Sequence, residues 1–184
     1  MSYRDFIKYK FFNSLFLGVS IGSIFTIYLP LEPSIYSIGG VVLALSMLMV
    51  AKIYKKILNI NWFYAISMMV EVVLLFMVLW FLVFSYSYVT ALVVYIGYQA
   101  TFIFGAYLIR IETIVLQKGK LLTFVDTAKQ KGYLVGMFLS YIFYKILENY
   151  FDIKENQIKV YDIHFLLLVV EFLILYYLVR SFKR

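Results

Sequence analysis

Glu71 and Glu171 each sit near the middle of a long apolar run, SMMVEVVLLFMVLWFLV and LLLVVEFLILYYLV, where an ionised carboxylate would have no water around it. A charge at the centre of a bilayer costs from about 3 to more than about 10 kcal/mol depending on the reference state, so acids in such runs face a protein interior or a wet cavity. A carboxyl that holds a proton at that depth could carry it. His164 lies seven residues before Glu171, two turns away on the same helical face, where an imidazole could relay protons toward the outer surface. Tyr64 and Ser67 share the face of Glu71 by i, i+3, i+7 spacing. The alternative is structural: neutral acids bonded to a neighbouring helix, and an ordinary interfacial histidine.

A second set of polar residues forms a stripe. At 100° per residue, Tyr88, Tyr95, Gln99, Ala106, Arg110 and Thr113 fall within one narrow sector, while the opposite side is Val, Leu, Ile and Phe. Farther along, Tyr133, Ser140 and Tyr144 form another polar face that could join it. These residues are the candidates for lining a substrate path. The competing reading is that Gln99 and the tyrosines bond to neighbouring helices and Arg110 snorkels to headgroups. Small residues repeat every fourth position at Ser14, Gly18, Gly22 and Thr26, and again at Gly132, Gly136 and Ser140. That spacing lets helix backbones approach closely, so helix packing is their expected role.

The elements that must hold these residues follow from composition. Of 184 residues 64% are hydrophobic and 15% charged, and the mean hydropathy is +0.90, far from the balance of a soluble domain. Charges cluster between apolar stretches of roughly 20 residues, the length that crosses about 30 Å of hydrocarbon. Six stretches fit, at about 12–31, 34–54, 61–84, 87–111, 131–149 and 163–181. Each is expected to be a helix, because lipid leaves no partner for an open backbone and the runs lack the alternation of barrel strands. The expectation is an all-α polytopic membrane protein with a single six-helix domain.

Lysine and arginine collect before the first stretch (Arg4, Lys8, Lys10), after the second (Lys52, Lys55, Lys56), between the fourth and fifth (Lys118, Lys120, Lys129, Lys131) and at the end (Arg180, Lys183, Arg184). The alternate loops carry little net positive charge. By the positive-inside bias both termini are cytoplasmic, which places the chain in the cytoplasmic (inner) membrane with an even number of spans. The net charge of +7 is confined to these membrane-proximal segments, so anionic lipid headgroups are the expected partner rather than nucleic acid. The chain has no cysteine, no paired-histidine metal spacing, no Gly-rich phosphate loop and no Ser/His/Asp set. No metal, no cofactor and no enzymatic activity are expected. The apolar run after the basic N-terminus lacks a convincing cleavage site and reads as a retained first helix.

Internal similarity points to a repeat. Val70-Glu71-Val72-Val73-Leu74-Leu75 aligns with Val170-Glu171-Phe172-Leu173-Ile174-Leu175 at an offset of 100, and Tyr54-Lys55-Lys56-Ile57-Leu58-Asn59 is similar to Tyr144-Lys145-Ile146-Leu147-Glu148-Asn149. The aligned segments run in opposite directions, the pattern of a 3+3 inverted repeat. A basic loop after the second span, a very short turn between the third and fourth, and a long basic segment from Arg110 to Lys131 complete the pattern. In these features the chain resembles one six-helix half of a major facilitator superfamily transporter. Met47 to Lys56 keeps only the basic positions of that family's Gly-x-x-x-Asp-Arg loop motif.

The resemblance implies that the first and fourth helices line the path, that the third and sixth lie toward the outside of the bundle, and that two bundles are needed. A homodimer, or pairing with a second half-size chain, would supply them. The expected function is then a half-size secondary transporter moving a small solute by alternating access, with Glu71 and Glu171 as candidates for proton coupling. Two other classes also fit: a substrate-binding subunit of an energy-coupling-factor vitamin importer, and a non-transporting assembly subunit whose buried acids hold a partner helix.

Overall fold

A computed structural model describes residues 1–183; Arg184, the last of the basic C-terminal residues, lies outside the described residues. The chain is helical throughout: α1 (Tyr3–Ile27), α2 (Pro33–Lys52), the single turn α3 (Tyr54–Ile57), α4 (Ile60–Val83), α5 (Tyr88–Ile103), α6 (Gly105–Leu116), α7 (Gly119–Tyr150) and α8 (Asn156–Phe182). Local chemistry explains where the helices begin. Ser2 caps α1 by accepting from the Asp5 amide, and Pro33 opens α2 where no amide donor is needed. Asn59 caps α4 by accepting from the Asn61 and Trp62 amides at 3.2 and 3.1 Å, and Ser87 caps α5 through the Thr90 amide at 3.0 Å.

Five segments are long and apolar enough to cross a membrane: α1, α2, α4, the α5–α6 pair (Tyr88–Leu116) and α8. This agrees with a polytopic membrane protein. The boundaries differ from the sequence-based stretches. α1 starts nine residues earlier than position 12, because the polar Ser2 cap and the buried Phe6 and Tyr9 extend the helix below the apolar run. The fourth stretch is two helices, broken at Phe104, where the Phe104 amide turns back to the Thr101 carbonyl at 3.2 Å before Gly105 restarts the helix. The fifth is a 32-residue helix, α7, that begins twelve residues before the apolar stretch at 131. Lys120, Asp126, Lys129, Lys131, Lys145 and Glu148 make α7 the least apolar of the long helices.

The packing is organised around α1, which lies along α7 and α8. α4 packs on α8 and α5, and α2 leans mainly on α5, with smaller contacts to the short α6 and α3. The α1–α7 seam is built from glycine. A Cβ added at Gly136 would collide with the Leu15 carbonyl oxygen and stand 3.0 Å from the Gly18 Cα; one at Gly132 would meet the Phe11 carbonyl. Backbones that close gain dispersion along the whole seam, the main source of association between helices in lipid. α2 is the opposite case, with Val50 its one buried residue, so its apolar side chains face outward.

The two chain ends meet. The Ser2 amide donates to the Ser181 carbonyl at 2.7 Å, and Phe6, Phe63 and Phe182 pack edge to face around them. The same end of the bundle holds the starts of α1, α4 and α7 and the ends of α2, α6 and α8.

Candidate functional site

Glu71 on α4 is buried against α1. Its Oε1 accepts from the Tyr9 hydroxyl at 2.7 Å and from Asn13 Nδ2 at 3.0 Å. Its Oε2 and the neighbouring Ser67 hydroxyl have no hydrogen-bond partner among the described residues. Glu171 on α8 is wholly buried, and neither of its carboxyl oxygens finds a donor among the described residues. α4 and α8 pack together, which puts Glu71 and Glu171 on neighbouring helices. A carboxylate enclosed without a donor or a cation is costly to ionise, which makes Glu171 a candidate to hold a proton.

Tyr9 supplies the shorter of Glu71's two hydrogen bonds. Tyr9→Phe is therefore expected to destabilise the protein by about 1–3 kcal/mol, the cost of leaving a buried acceptor short of a donor. The check is the thermal unfolding midpoint in detergent, where Asn13 keeps the loss short of complete unfolding.

His164 donates through Nδ1 to the Val160 carbonyl at 2.6 Å and stacks on Phe81 with ring centres 4.0 Å apart. That bond fixes the neutral tautomer with Nε2 as a free acceptor. The ring borders a small enclosed cavity of about 20 Å³ that is also lined by Ser20, Ser23 and Tyr98. A volume of that size suffices for one water molecule, and the wall carries polar groups that would bond it. Ser23 continues outward to the Tyr144 hydroxyl at 3.2 Å. Tyr144 in turn borders an open groove of about 260 Å³ with Gly22, Thr26, Asn156 and Lys159.

The expected substrate stripe divides at the Phe104 break. Tyr95 is buried, edge-on to Tyr28 and Tyr36 and against Gly39, and its hydroxyl donates to the Tyr36 carbonyl at 3.4 Å. Gln99 is half-buried, with its Oε1 enclosed and lacking a donor among the described residues. Tyr88 and Arg110 are exposed; the Arg110 guanidinium lies 5.7 Å above the Tyr54 ring beside an open groove of about 500 Å³. The break interrupts the 100° count, so the face of α6 that turns inward carries Tyr107, Ile111, Glu112 and Leu116 instead.

The α7 residues do not join the α5 stripe, because α5 and α7 share no extensive contact. Tyr133 and Ser140 lie on α7, whose seam with α1 carries the Tyr133 carbonyl next to Gly18, and the Ser140 hydroxyl donates to the Met137 carbonyl at 3.1 Å. Gly22 faces the Tyr144 ring at an ordinary distance, and Ser14 is half-buried.

The sequence reading passes over one cluster entirely. Glu112 on α6 is buried and pairs with Lys10 of α1 at 2.8 Å and with Lys129 of α7, which also reaches Asp126 at 3.3 Å. Lys10 is buried too and lies over the Phe6 and Tyr9 rings. This ion cluster ties three helices at the end where the termini meet. A sequence signal did exist, since Glu112 is the lone acid of the segment Tyr88–Leu116. Its partners lie 102 residues before it and 17 after it (112 − 10 and 129 − 112), beyond any helical spacing.

Compared with known proteins, the chain matches no family model, no curated protein and no solved structure.

Proposed function

We propose that the chain is a half-size secondary transporter: six membrane crossings, α1, α2, α4, α5–α6, α7 and α8, arranged as a 3+3 inverted repeat that works in pairs to move a small solute by alternating access. The observation that carries this reading is the pattern of helix contacts. Exchanging the first three crossings for the last three turns the α1–α7 contact into α5–α2, turns α1–α8 into α5–α4, and returns α4–α8 to itself. All of these contacts are present, and the exchange pairs α4 with α8, the helices whose aligned sequences put Glu71 opposite Glu171. Inverted repeats of this kind place the moving parts of transporters on either side of a fixed midplane site. The resemblance to a major facilitator half rests on the repeat and the loop lengths; it departs at the third and sixth crossings, α4 and α8, which that family places toward the outside and which here pack on each other with Glu71 and Glu171 buried.

The count of six is supported by parity. The Ser2–Ser181 bond holds the start of α1 and the end of α8 together, and five crossings would leave them on opposite sides. α7 supplies the sixth, and at 1.5 Å per residue its length of about 48 Å exceeds the hydrocarbon thickness, so its charged first turns can lie outside. The joined ends carry Arg4, Lys8, Arg180 and Lys183, so the positive-inside bias orients the protein with both termini cytoplasmic.

The cavity beside His164, of about 20 Å³, is too small for a vitamin. A parallel second copy, or a second half-size chain, would complete the path beside Gln99 and Arg110, where the guanidinium favours an anionic solute. Mass determination of the detergent-solubilised particle tests the proposal. Two chains, each of 21.7 kDa, or one with a similar partner, is the expected result. A lone monomer, or co-purification with a large complex and no solute flux in liposomes, overturns it.

A further inference from the structure

We infer that Glu71 and Glu171 form a proton-binding site with access from one end only, through Tyr144, Ser23 and the water-sized cavity. Three observations independent of any titration behaviour lead there. The first is that Glu171 is fully enclosed with both oxygens unpartnered among the described residues, beside a second carboxyl that has only one oxygen bonded. A group of that kind is satisfied by a proton, and a protein that needed only packing at this position would carry an aliphatic side chain.

The second is a run of exchangeable groups on one side of the pair. The cavity is lined by Leu74, three residues after Glu71, and by Leu167, four before Glu171, so it lies about one helical turn from both carboxyls. Tyr98 and Ser20 lie on its wall. From the cavity the line continues through Ser23 to the Tyr144 hydroxyl and the open groove beside Asn156 and Lys159. Hydroxyls both donate and accept, as would a water in a cavity of this size, which is what a proton relay requires.

The third is closure on the opposite side. Between the pair and the end where the termini meet stand Tyr9, Phe6 and Phe63, all fully buried, with Phe182 packed on the two phenylalanines. Beyond Tyr9 the Lys10–Glu112–Lys129 cluster seals α1 to α6 and α7. The titratable and charged groups facing the pair are thus Tyr9 and Lys10 from α1, Tyr98 from α5, Glu112 from α6 and His164 from α8, with Tyr144 of α7 at the entrance. His164 already donates to Val160 through Nδ1, which leaves Nε2 of the neutral ring as an acceptor.

Such a site fits the coupling step of an alternating-access transporter, and in that role it rests on the reading above. Loading from one side and release to the other would require the Phe6, Phe63 and Phe182 plug to open. The proton site itself does not depend on a solute, and its test separates the two claims.

The test is infrared spectroscopy of the full chain in phosphatidylcholine proteoliposomes, using the carbonyl stretch of protonated carboxyl groups as the probe. Wild type is expected to show a protonated-carboxyl band at neutral pH that is lost in Glu171→Gln or in Glu71→Gln. On transfer to D2O the band is expected to shift, and Tyr144→Phe to slow that shift by about tenfold or more, as removal of a proton-relaying group does. Tyr161→Phe, which loses only a bond to the Leu82 carbonyl at the same end of the bundle, should leave the rate unchanged. No band at neutral pH in the wild type, or a band retained in both Gln variants, overturns the site. Equal slowing by Tyr161→Phe, or no slowing by Tyr144→Phe, overturns the route. A proton site present in a particle that proves monomeric and moves no solute would retain the site and remove only its coupling role.

Discussion

Gly136→Leu is expected to abolish the folded protein. The reason is where the side chain would have to go: the first added carbon already meets the Leu15 carbonyl oxygen, with the Gly18 Cα and the Val19 amide nitrogen each 3.0 Å away. These are backbone atoms of a helix, held by their own hydrogen bonds, and they cannot rotate aside as a side chain would. α7 must then separate from α1 along the seam, and since α1 also carries α8 the rest of the bundle loses its centre. Overpacking in a well-filled interior costs about 1–3 kcal/mol, and a backbone collision stands at or above the upper end of that range. The measurement is the yield of monodisperse protein in detergent, expected to fall to aggregate for the variant. Gly22→Ala is the matched comparison. Its Cβ would sit 3.6 Å from the Tyr144 ring, an ordinary contact, so its yield should equal wild type.

Glu112→Ala is expected to cost about 3–5 kcal/mol, the penalty for leaving a buried ion without its partner. Lys10 is the residue that suffers. It is 7% exposed and has Glu112 as its only salt-bridge partner among the described residues, whereas Lys129 keeps Asp126. Thermal unfolding in detergent should show the loss. Combining Glu112→Met with Lys10→Met removes both charges and keeps the volume, and it should recover most of the stability, because an apolar replacement of a buried pair is often neutral or better. If the double variant is as unstable as Glu112→Ala, Lys10 is not the cause and the cluster does not work as a pair.

Much of the fold was legible because lipid-like interiors impose simple rules. Apolar length identified α1, α2, α4, the α5–α6 pair and α8 as segments able to cross a membrane, but charge clusters did not mark the helix ends, since Arg4, Lys8 and Lys10 lie inside α1 and Lys120, Lys129 and Lys131 inside α7. The Phe104 break and the early start of α7 were harder to see. The break comes from a local backbone turn inside an apolar run, and the first turns of α7 are polar enough to read as a loop.

The site was legible in part. Glu71, Glu171 and His164 stood out because a lone ionisable group in an apolar run is costly wherever the run sits. The stripe from Tyr88 to Thr113 was extrapolated through a helix that is not continuous, so Tyr95 and Gln99 turn inward while Arg110 does not.

The amino-acid sequence by itself determined that this protein is helical and apolar, with two acids that have no business in lipid unless something shelters them. Only the tertiary structure decided what shelters each one: Tyr9 and Asn13 for Glu71, and for Glu171 an enclosure without donors. The physical reason is range. Solvation and helix propensity act within a few residues of the chain, whereas a hydrogen bond between positions 62 residues apart exists only once helix packing has brought them within 3 Å.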